Sequence, residues 1–445
     1  MRTEFSAEAL QDPGTAAAEA AIRRCVRCGF CTSTCPTYVL SRHELEGPRG
    51  RIYLMKDMLE NERSPTAEVV RHLDSCLSCL ACVTTCPSDV NYRHLVDHSR
   101  RYIAENYRRP WAERAFRRVL LAVLSHRGRF ALALALGALL RPLAGVLRSI
   151  PVLRPMARML ESVPPRDSRT LHGTPTPTPS SVSRSVSLAR PRGRVLLAQG
   201  CVEGSLVPEV HTATRRLLDR LGYEVIVSEQ EGCCGALAHH LGEHARTVAA
   251  VRCNVDAWSA AGEVAAIVST ASGCGSMLKD YGGLMREDAS HAESARVVAE
   301  RVADVCEFLD RVGLPAAARA PAVPALRVAY HPPCSLQHGQ RLRDLPVRLL
   351  REAGFEVQLP QDAHLCCGSA GTYSLLQPEI ADALRERKLS ALHRTRPDVI
   401  VSGNVGCAVH LAAATGVPVL HTVELLDWAY GGPMPIALQL GDREN

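Results

Sequence analysis

Two compact groups of cysteines near the start of the chain are the residues best placed to do chemistry. Each group has three cysteines within seven residues and a fourth that is followed by proline: Cys25, Cys28, Cys31 and Cys35, then Cys76, Cys79, Cys82 and Cys86. This spacing lets one short loop reach three corners of a cubane 4Fe–4S cluster, while the fourth cysteine turns toward a neighbouring cluster. The pattern predicts two clusters close enough to conduct single electrons.

The fourth cysteine of each group is expected to bind the cluster of the other group, as in bacterial two-cluster ferredoxins. One cluster would be held by Cys25, Cys28, Cys31 and Cys86, and the other by Cys76, Cys79, Cys82 and Cys35. Zinc commonly takes two Cys-x-x-Cys pairs that lie far apart, so it fits compact quartets poorly. Because neither cluster lacks a ligand, we expect this region to carry electrons and assign no catalytic residue.

Eight further cysteines belong to an internal repeat with an offset of 133 residues. They are Cys201, Cys233, Cys234 and Cys274 in the first copy, and Cys334, Cys366, Cys367 and Cys407 in the second. Gly235 and Gly368 follow the adjacent pairs, where glycine would relieve crowding. Four cysteines at matched spacing indicate a duplicated domain. Cys253 and Cys306 lie outside the repeat and are given no role, since cysteine also serves as a small core residue.

Short apolar runs alternate with helical patterns in both copies. In the first copy they predict strands at 195–198, 225–228 and 266–270 and a helix at about 208–221. This alternation favours a parallel sheet with the cysteines at its carboxyl edge. The fold class is therefore α/β overall: an N-terminal α-helical ferredoxin-like domain, followed by two duplicated α/β Cys-Cys-Gly domains with short parallel sheets.

Composition divides the chain of 445 residues into five segments. We expect a helical di-cluster domain at 1–110, with a turn at 47–50 and a helix at about 51–61. A basic, amphipathic helical segment follows at 111–161, and a linker rich in Pro, Ser and Thr at 162–193. The first Cys-Cys-Gly domain would span 194–320 and the second 321–445.

The basic segment carries nine arginines and no acid between residues 114 and 158. It could lie on an anionic membrane surface or dock a partner, or it could be a solvated helix face. No apolar run reaches the ~18 residues of a membrane span, and no basic stripe interleaved with aromatics suggests nucleic-acid binding. The first twenty residues lack the apolar core of a secretory leader. We expect a cytoplasmic protein, with peripheral contact to the inner face of the membrane left open.

The cysteines of the repeat resemble those of the cysteine-rich domain in heterodisulfide-reductase-type subunits. In that family the last cysteine is part of a Cys-x-x-Cys, and such domains can carry non-cubane clusters. Here that final position is Met277 in one copy and His410 in the other. Two interpretations therefore stay open. The cysteines of the repeat either bind clusters or are inherited thiols that pack or bind a partner. His331 and His338, which bracket Cys334, could relay a proton or only cap a loop.

The order of two ferredoxin-type motifs, a linker and two Cys-Cys-Gly domains resembles several respiratory subunits. These include electron-transfer subunits of anaerobic glycerol-3-phosphate dehydrogenase, lactate-utilisation proteins and iron–sulfur subunits of glycolate oxidase. Longer strings favour the last family: CVRCGFCTSTCPTY at 25–38, GPRGRIYL at 47–54, TASGCG at 270–275, KDYG at 279–282 and HLCCGSAGTY at 364–373. The resemblance covers nearly the whole chain.

The resemblance implies an electron-transfer subunit of a glycolate dehydrogenase that oxidises glycolate to glyoxylate. FAD would be on partner subunits, and the chain would pass electrons from it to a membrane acceptor such as a quinone. The sequence agrees, since it shows no dinucleotide-binding glycine motif or phosphate loop. The alternatives are the related lactate or glycerol-3-phosphate dehydrogenases and a thiol reductase that acts at the Cys-Cys-Gly sites. A redox sensor or a scaffold is a third alternative. Two complete clusters and a duplicated thiol domain are more than either of these roles requires.

Overall fold

The N-terminal region is built of helices. The computed structural model describes residues 1–143, 145, 191–315 and 325–441, so most of the predicted linker lies outside the described residues. The first 110 residues form short 3₁₀ turns at Ala9–Gln11 and Glu44–Glu46 and the helices Pro13–Arg24, Phe30–Thr34, Pro36–Ser41, Pro48–Glu60, Ala67–Asp74, Ala81–Thr85 and Tyr92–Asn106. Their apolar faces meet in one core that includes Ile22, Met55 and Leu95.

Local sequence explains where several of these helices begin. Asp12 and Thr66 act as N-caps, because their side chains accept hydrogen bonds from backbone N–H groups of the first turn. Pro48 occupies the first turn of Pro48–Glu60, where its missing N–H costs nothing. The predicted turn at 47–50 is therefore wrong, and the helix expected from residue 51 begins three residues earlier. Gly50 is needed there, since a Cβ would lie 2.2 Å from the carbonyl oxygen of Glu44.

The two cysteine motifs fold alike. Each places a five-residue helix between its second and fourth cysteines, at Phe30–Thr34 and Ala81–Thr85, and these two helices pack against each other. Each helix is preceded by a residue with positive φ, Gly29 at 84° and Leu80 at 62°. The left-handed residue bends the chain sharply and brings the cysteines on either side of it toward one point.

A bent helical hairpin connects this region to the rest of the chain. Its helices, Trp111–Leu124 and Arg127–Leu140, meet at 107° and are followed by a 3₁₀ turn at Arg141–Leu143. Of the helices in the described ranges, none alone has the length and apolar character to cross a membrane, whereas this bent pair meets both criteria together. Leu120, Leu121 and Phe130 are buried, but several leucines of the second helix are exposed.

Two four-stranded parallel sheets form the remainder. The first contains β1 (Gly193–Leu197), β2 (Tyr223–Ile226), β3 (Ala266–Ser269) and β4 (Val302–Asp304) in the order β2-β1-β3-β4. The second contains β5 (Arg327–Tyr330), β6 (Glu356–Gln358), β7 (Val399–Ser402) and β8 (Val419–His421) in the order β6-β5-β7-β8. Val195 pairs with Ala266 in one sheet and Val328 with Val399 in the other, which is the same register at the repeat offset. The α/β fold class and the repeat are confirmed.

Helices cover both sheets and join them. In the first copy they are Glu203–Leu206, Pro208–Arg220, Ala236–His240, His244–Ser259, Ser272–Leu278, Tyr281–Leu284, Ala292–Arg301 and Val305–Val312. In the second they are the π-helical turn Ser335–Gly339 and the α-helices Leu345–Glu352, Tyr373–Leu376, Pro378–His393, Val405–Ala412, Thr422–Ala429 and Ile436–Gly441. Side chains from both sheets share one hydrophobic core, and the buried Asp427 binds Arg216 and Arg220 across the two copies.

The N-terminal helices dock onto both copies through hydrogen bonds. Tyr373 donates from its hydroxyl to the carbonyl oxygen of Ser75 at 2.9 Å, and His338 Nδ1 lies 2.8 Å from Thr84 Oγ1. Arg93 donates to the carbonyl oxygen of Ser276 at 3.0 Å in the first copy. These contacts hold the region of the second cysteine motif against the duplicated domains.

Candidate functional site

The first predicted set of ligands, Cys25, Cys28, Cys31 and Cys86, lines one pocket. We call these four residues quartet 1. Cys82 and Pro87 of the second motif and Ile52 of the helix Pro48–Glu60 also line the pocket. Cys28 is exposed at the rim, whereas Cys25 is buried. Because Cys86 reaches this pocket from the other motif, the structure brings together the four sulfurs that the spacing assigned to one cluster.

The second set, Cys35, Cys76, Cys79 and Cys82, lines an adjoining pocket. We call these four residues quartet 2. The wall of this pocket also includes Thr37, Arg51 and Tyr92. Here Cys35 comes from the first motif, just as Cys86 of the second motif lines the pocket of quartet 1. Cys82 lines both pockets, so the two sites share a wall.

The thiol environments fit an iron–sulfur cluster in each pocket. Burial, together with the neighbouring thiols Cys25, Cys86 and Cys28, raises the pKa of Cys31 to about 11. Burial also raises the pKa of Cys82, with Cys79, Cys76 and Cys35 as its principal charged neighbours. For Cys31 and Cys82, the neighbouring thiols with the strongest effect are therefore members of the same quartet. Four thiolates crowded in this way need the positive charge of bound iron to stay ionised.

Two buried arginines, Arg51 and Arg100, lie beside quartet 2, and no sequence pattern indicated their role. Arg51 is 1% exposed, forms an ion pair with Glu46 at 2.8 Å and points Nη1 at Cys35 Sγ. Arg100 donates to the carbonyl oxygen of Cys76 at 2.5 Å and to Ser78 Oγ at 2.6 Å. A cluster bound by four thiolates is anionic, so these cations would stabilise it and favour its reduction.

The adjacent cysteines of the duplicated domains divide between different partners. Cys233 hydrogen-bonds with Cys201, and Cys234 with Cys274. In the second copy Cys366 Sγ lies 3.8 Å from Cys334 Sγ, and Cys367 hydrogen-bonds with Cys407. The adjacent cysteines also interact with each other, so each quartet is a continuous row of four neighbouring thiols at the carboxyl edge of its sheet, where the alternating pattern placed it.

The glycine after each pair is required by the backbone. Gly235 and Gly368 have φ values of 86° and 95°, which L-residues with side chains rarely adopt. A Cβ on Gly368 would also lie 2.4 Å from the carbonyl oxygen of Ala381. The glycine therefore turns the chain tightly after the two cysteines.

The two residues that replace the fifth cysteine of the family pattern, Met277 and His410, have ordinary packing roles. Met277 is buried in the apolar core of the first copy, and His410 Nε2 lies 3.4 Å from the carbonyl oxygen of Ala381. Cys306 is a buried core residue, as expected for a cysteine without a role, whereas Cys253 is exposed.

The two histidines beside Cys334 have different surroundings. His338 bridges Thr84 and the carbonyl oxygen of His364, which is the structural role of a loop histidine. His331 is 1% exposed, and neither of its ring nitrogens has a hydrogen-bond partner. Burial lowers the pKa of His331 well below its usual range, so the imidazole is neutral.

The two cysteine quartets of the repeat lie in different places relative to the N-terminal pockets. In the second copy Cys334 and Cys366 pack with Cys79, a member of quartet 2. In the first copy Cys233 hydrogen-bonds with Ser125 of the helical hairpin, and Arg127 of the hairpin binds the buried Glu231 at 2.5 Å. The second copy is therefore the one whose cysteines touch the predicted electron path.

Family models match three parts of the chain. A 4Fe–4S dicluster domain matches residues 21–90, and a cysteine-rich domain matches residues 195–279 and again 328–412. The dicluster match contains all eight N-terminal cysteines and shows that the chain is an iron–sulfur protein. The two cysteine-rich matches contain both quartets of the repeat.

Similar proteins extend this result along the whole chain. The glycolate oxidase iron–sulfur subunit of Escherichia coli is 39% identical over 96% of this chain and 99% of its own length. A probable glycolate oxidase iron–sulfur subunit of Bacillus subtilis is 31% identical over 88% of this chain and 89% of its own length. Lactate utilization protein A of Bacillus licheniformis is 28% identical over 53% of this chain and 99% of its own length.

One solved structure shows the same fold. The crystal structure of a hypothetical protein from Helicobacter pylori matches with a TM-score of 0.50 and 12% identity, covering 89% of this chain and 70% of that chain. Fold, cysteine motifs and full-length similarity agree, and the expected resemblance is confirmed. The chain is an iron–sulfur electron-transfer subunit that belongs to the family of glycolate oxidase iron–sulfur subunits.

Proposed function

We propose that this chain is the electron-transfer subunit of a glycolate dehydrogenase complex that oxidises glycolate to glyoxylate. FAD-containing partner subunits would take the hydride from glycolate, and this chain would carry the electrons to a membrane acceptor, a quinone. The observation that carries the proposal is the 39% identity with the Escherichia coli subunit over 96% of the chain, together with two complete cysteine quartets. When bound, a 4Fe–4S cluster accepts and releases one electron at a time.

The rim of quartet 1 suits a partner that delivers electrons. Cys28 is exposed there, and Val26 and Phe30 beside it are 68% and 61% exposed. Arg27 lies 5.8 Å from the ring centre of Tyr53, which is also exposed. Exposed apolar side chains around a redox centre form a surface suited to a protein partner. We therefore propose that the flavin subunit docks on Val26, Phe30 and Tyr53.

The shared wall between the quartets gives a direct route inward. Cys82 lines both pockets, so an electron that enters at quartet 1 has a short path to quartet 2. Arg51 and Arg100 place positive charge at quartet 2, which favours electron transfer in that direction. The contact of Cys79 with Cys334 and Cys366 continues the path into the second copy.

The helical hairpin supports a peripheral position on the inner face of the cytoplasmic membrane. Leu132, Leu136 and Leu139 follow helical spacing on the second helix and are 51–63% exposed. The surrounding cations, Arg129 and Arg141, suit anionic headgroups. This surface would place the chain beside a membrane quinone.

Lactate is the second candidate substrate, because the lactate utilization proteins match half of the chain. A thiol reductase is less well supported, since Cys201, Cys233, Cys366 and Cys367 are all buried and offer no access to a substrate disulfide. The comparison with glycolate oxidase subunits extends over the full length of the chain, and so it favours glycolate.

The test is purification of the tagged chain from its host, with analysis of bound subunits and FAD. We expect FAD-containing subunits to copurify and glycolate to reduce a quinone analogue faster than D-lactate or glycerol 3-phosphate does. Phe30→Glu should weaken the complex about tenfold or more, whereas Leu359→Glu, at an exposed leucine of the second copy, should not. Copurification without flavin, or activity with lactate alone, would contradict the proposal.

A further inference from the structure

An open cavity lies where the N-terminal helices, the helical hairpin and the second copy meet. Its volume is about 600 Å³, within the range of about 300–1,000 Å³ that is typical of sites for small organic ligands. One wall is the helix Ala67–Asp74, another is the hairpin helix Trp111–Leu124, and the third is the segment 374–379 of the second copy. We call this space the junction cavity. It is separate from the pockets of quartets 1 and 2.

A smaller inner cavity adjoins the junction cavity and reaches quartet 2. Four residues line both spaces: Asp74, Arg117, Leu376 and Gln377. The inner cavity is also lined by Cys76, one of the four cysteines of quartet 2. A molecule in the junction cavity would therefore lie close to the cluster that quartet 2 is predicted to hold, as an electron acceptor must.

Tyr373 connects the inner cavity to the cysteines of the second copy as well. Its side chain lines the inner cavity and packs with Cys366, and its hydroxyl donates to the carbonyl oxygen of Ser75 at 2.9 Å. Quartet 2 and the cysteines of the second copy, which form the proposed electron route, thus adjoin the same space. An acceptor in the junction cavity would stand at the end of that route.

The charged residues of the junction cavity balance one another. Its lining contains three arginines and three carboxylates: Arg71, Arg109, Arg117, Asp74, Glu113 and Glu379. Arg109 binds Asp74 at 2.6 Å and Glu113 at 2.7 Å. Arg117 binds the same two carboxylates at 2.8 Å and 2.9 Å. Because the charges cancel and two of the arginines are already paired, the cavity suits an uncharged ligand better than an anion such as glycolate.

The rest of the lining combines apolar surface with one amide. Val70, Phe116 and Leu375 contribute apolar side chains from the three walls. Gln377 directly precedes the helix Pro378–His393, but its side chain does not cap that helix. The amide of Gln377 is therefore free to donate a hydrogen bond to a ligand oxygen. An uncharged ring that carries carbonyl oxygens fits this lining, and a quinone is such a molecule.

The hairpin relates the junction cavity to the surface that we propose faces the membrane. Phe116 and Arg117 of the first hairpin helix line the cavity. The second hairpin helix, which begins three residues after the first one ends, carries the exposed Leu132, Leu136 and Leu139. The cavity therefore lies beside the part of the chain that would rest on lipid, where a lipophilic ligand is concentrated.

The corresponding loop of the first copy is closed by direct packing. Gly242 lies just before the helix His244–Ser259, and a Cβ on it would lie 2.4 Å from the carbonyl oxygen of Arg100. Asp97, on the same N-terminal helix as Arg100, binds His239 at 3.0 Å. The loop of the second copy instead borders the junction cavity, and this is the copy whose cysteines pack with quartet 2.

We propose that the junction cavity binds the ring of a membrane quinone and is the place where electrons leave this chain. The inference deepens the proposed function and rests on it, since the electrons come from glycolate through the flavin subunit. Oxidation of glycolate to glyoxylate releases two electrons and two protons. The quinone takes two electrons, one at a time by way of quartet 2, and two protons from solvent at the mouth of the cavity. Each of its carbonyls thereby becomes a hydroxyl, and the product is the quinol.

The first test locates the quinone in the unmutated complex. An azido-substituted benzoquinone with a short alkyl tail is photolysed with the complex, and labelled peptides are identified by mass spectrometry. We expect the label on peptides that contain Phe116 or residues 374–379, and an excess of the same quinone without the azide should prevent it. Label confined to the partner subunits, or spread over this chain without protection by the excess quinone, would overturn the proposal.

The second test uses variants of the cavity in the complex. Leu375→Trp fills the space and should raise the KM for a short-tailed benzoquinone about tenfold or more. Gln377→Ala removes one hydrogen bond and should raise that KM about fivefold. Leu359→Trp, at an exposed leucine of the second copy, is the matched control and should keep the KM of the unmutated complex.

Reduction of a soluble dye by glycolate in the unmutated complex tests the proposed function separately. If glycolate reduces neither the dye nor the quinone, the proposed function itself fails. If glycolate reduces both while Leu375→Trp and Gln377→Ala keep the unmutated KM for the quinone, only the assignment of the junction cavity fails. Should Leu375→Trp fold poorly, Gln377→Ala and the photolabelling of the unmutated complex still decide the question.

Discussion

The guanidinium Nη1 of Arg51 lies 3.8 Å from the Sγ atom of Cys35, a member of quartet 2. The same side chain donates to Ser75 Oγ at 2.8 Å and forms an ion pair with Glu46, all in a buried environment. A fixed cation at this distance from a ligand sulfur would lower the free energy of the reduced cluster more than that of the oxidised one. Arg51 is therefore the residue that most directly links the fold to electron transfer.

Replacing Arg51 should change the reduction potential of the cluster held by quartet 2. We expect Arg51→Met to lower that potential by on the order of 100 mV, since one charge near the cluster is lost. Arg51→Lys keeps the charge and should shift the potential much less. Redox titration followed by EPR measures both. Unchanged potentials in Arg51→Met would show that the arginine has only a structural role.

The same substitution should also lower stability. Glu46 would keep its contact with His72 at 2.6 Å but lose its buried ion pair with Arg51. Loss of one partner from such a pair costs about 3–5 kcal/mol. The denaturation midpoint of Arg51→Met should therefore fall, and titrations need to be restricted to conditions in which circular dichroism shows folded protein.

The fourth cysteine of each motif is expected to bind the cluster of the other motif, and substitutions can test this. Cys86→Ala should disturb the cluster bound by Cys25, Cys28 and Cys31, although Cys86 belongs to the other motif. Cys35→Ala should disturb the cluster of Cys76, Cys79 and Cys82. EPR can distinguish the two clusters, because Arg51→Met is expected to shift the reduction potential of the cluster held by quartet 2. If each variant damaged the cluster of its own motif, the assignment would be wrong.

The spacing of the cysteines predicted the quartets and the repeat, and the alternation of apolar runs with helical patterns predicted the parallel sheets and the α/β class. β4 was not predicted, since Val302–Asp304 has three residues and lies between two helices. Arg51 could not be recognised either, because Cys35 and Ser75 are distant in sequence and meet it only after folding. The junction cavity likewise could not be recognised, because Asp74, Phe116 and Leu376, which line it, are distant in sequence and meet only after folding.

The buried Asp304 should make stability depend on pH. Burial raises the pKa of this carboxyl from 3.8 to about 7, and its Oδ1 caps the helix Val305–Val312. Because the folded-state pKa is raised, Asp304 contributes stability that is complete below pH 4 and is lost as the pH rises through 7, at most about 1.4 kcal/mol per unit. Asp304→Asn should reduce the fall in melting temperature between pH 5 and 8. An unchanged pH profile would show that Asp304 is not the group responsible.

The exposed leucines of the hairpin should govern membrane binding. Leu132→Gln combined with Leu136→Gln removes apolar surface from one helix face, so binding to vesicles of phosphatidylglycerol and phosphatidylethanolamine should fall by about tenfold or more. Leu359→Gln is the matched control, since Leu359 is exposed on another part of the chain. Vesicle flotation at low and high salt measures the effect. Equal flotation of all three proteins would contradict a membrane role for the hairpin.

We propose that electrons from glycolate enter this chain through quartets 1 and 2. The most direct measurement is low-temperature EPR of the anaerobic complex, frozen at short times after glycolate is added. We expect signals of reduced 4Fe–4S clusters that appear with flavin reduction and are lost in the Cys31→Ala variant. Reduction of the flavin by glycolate while the clusters of the intact chain stay oxidised would contradict it.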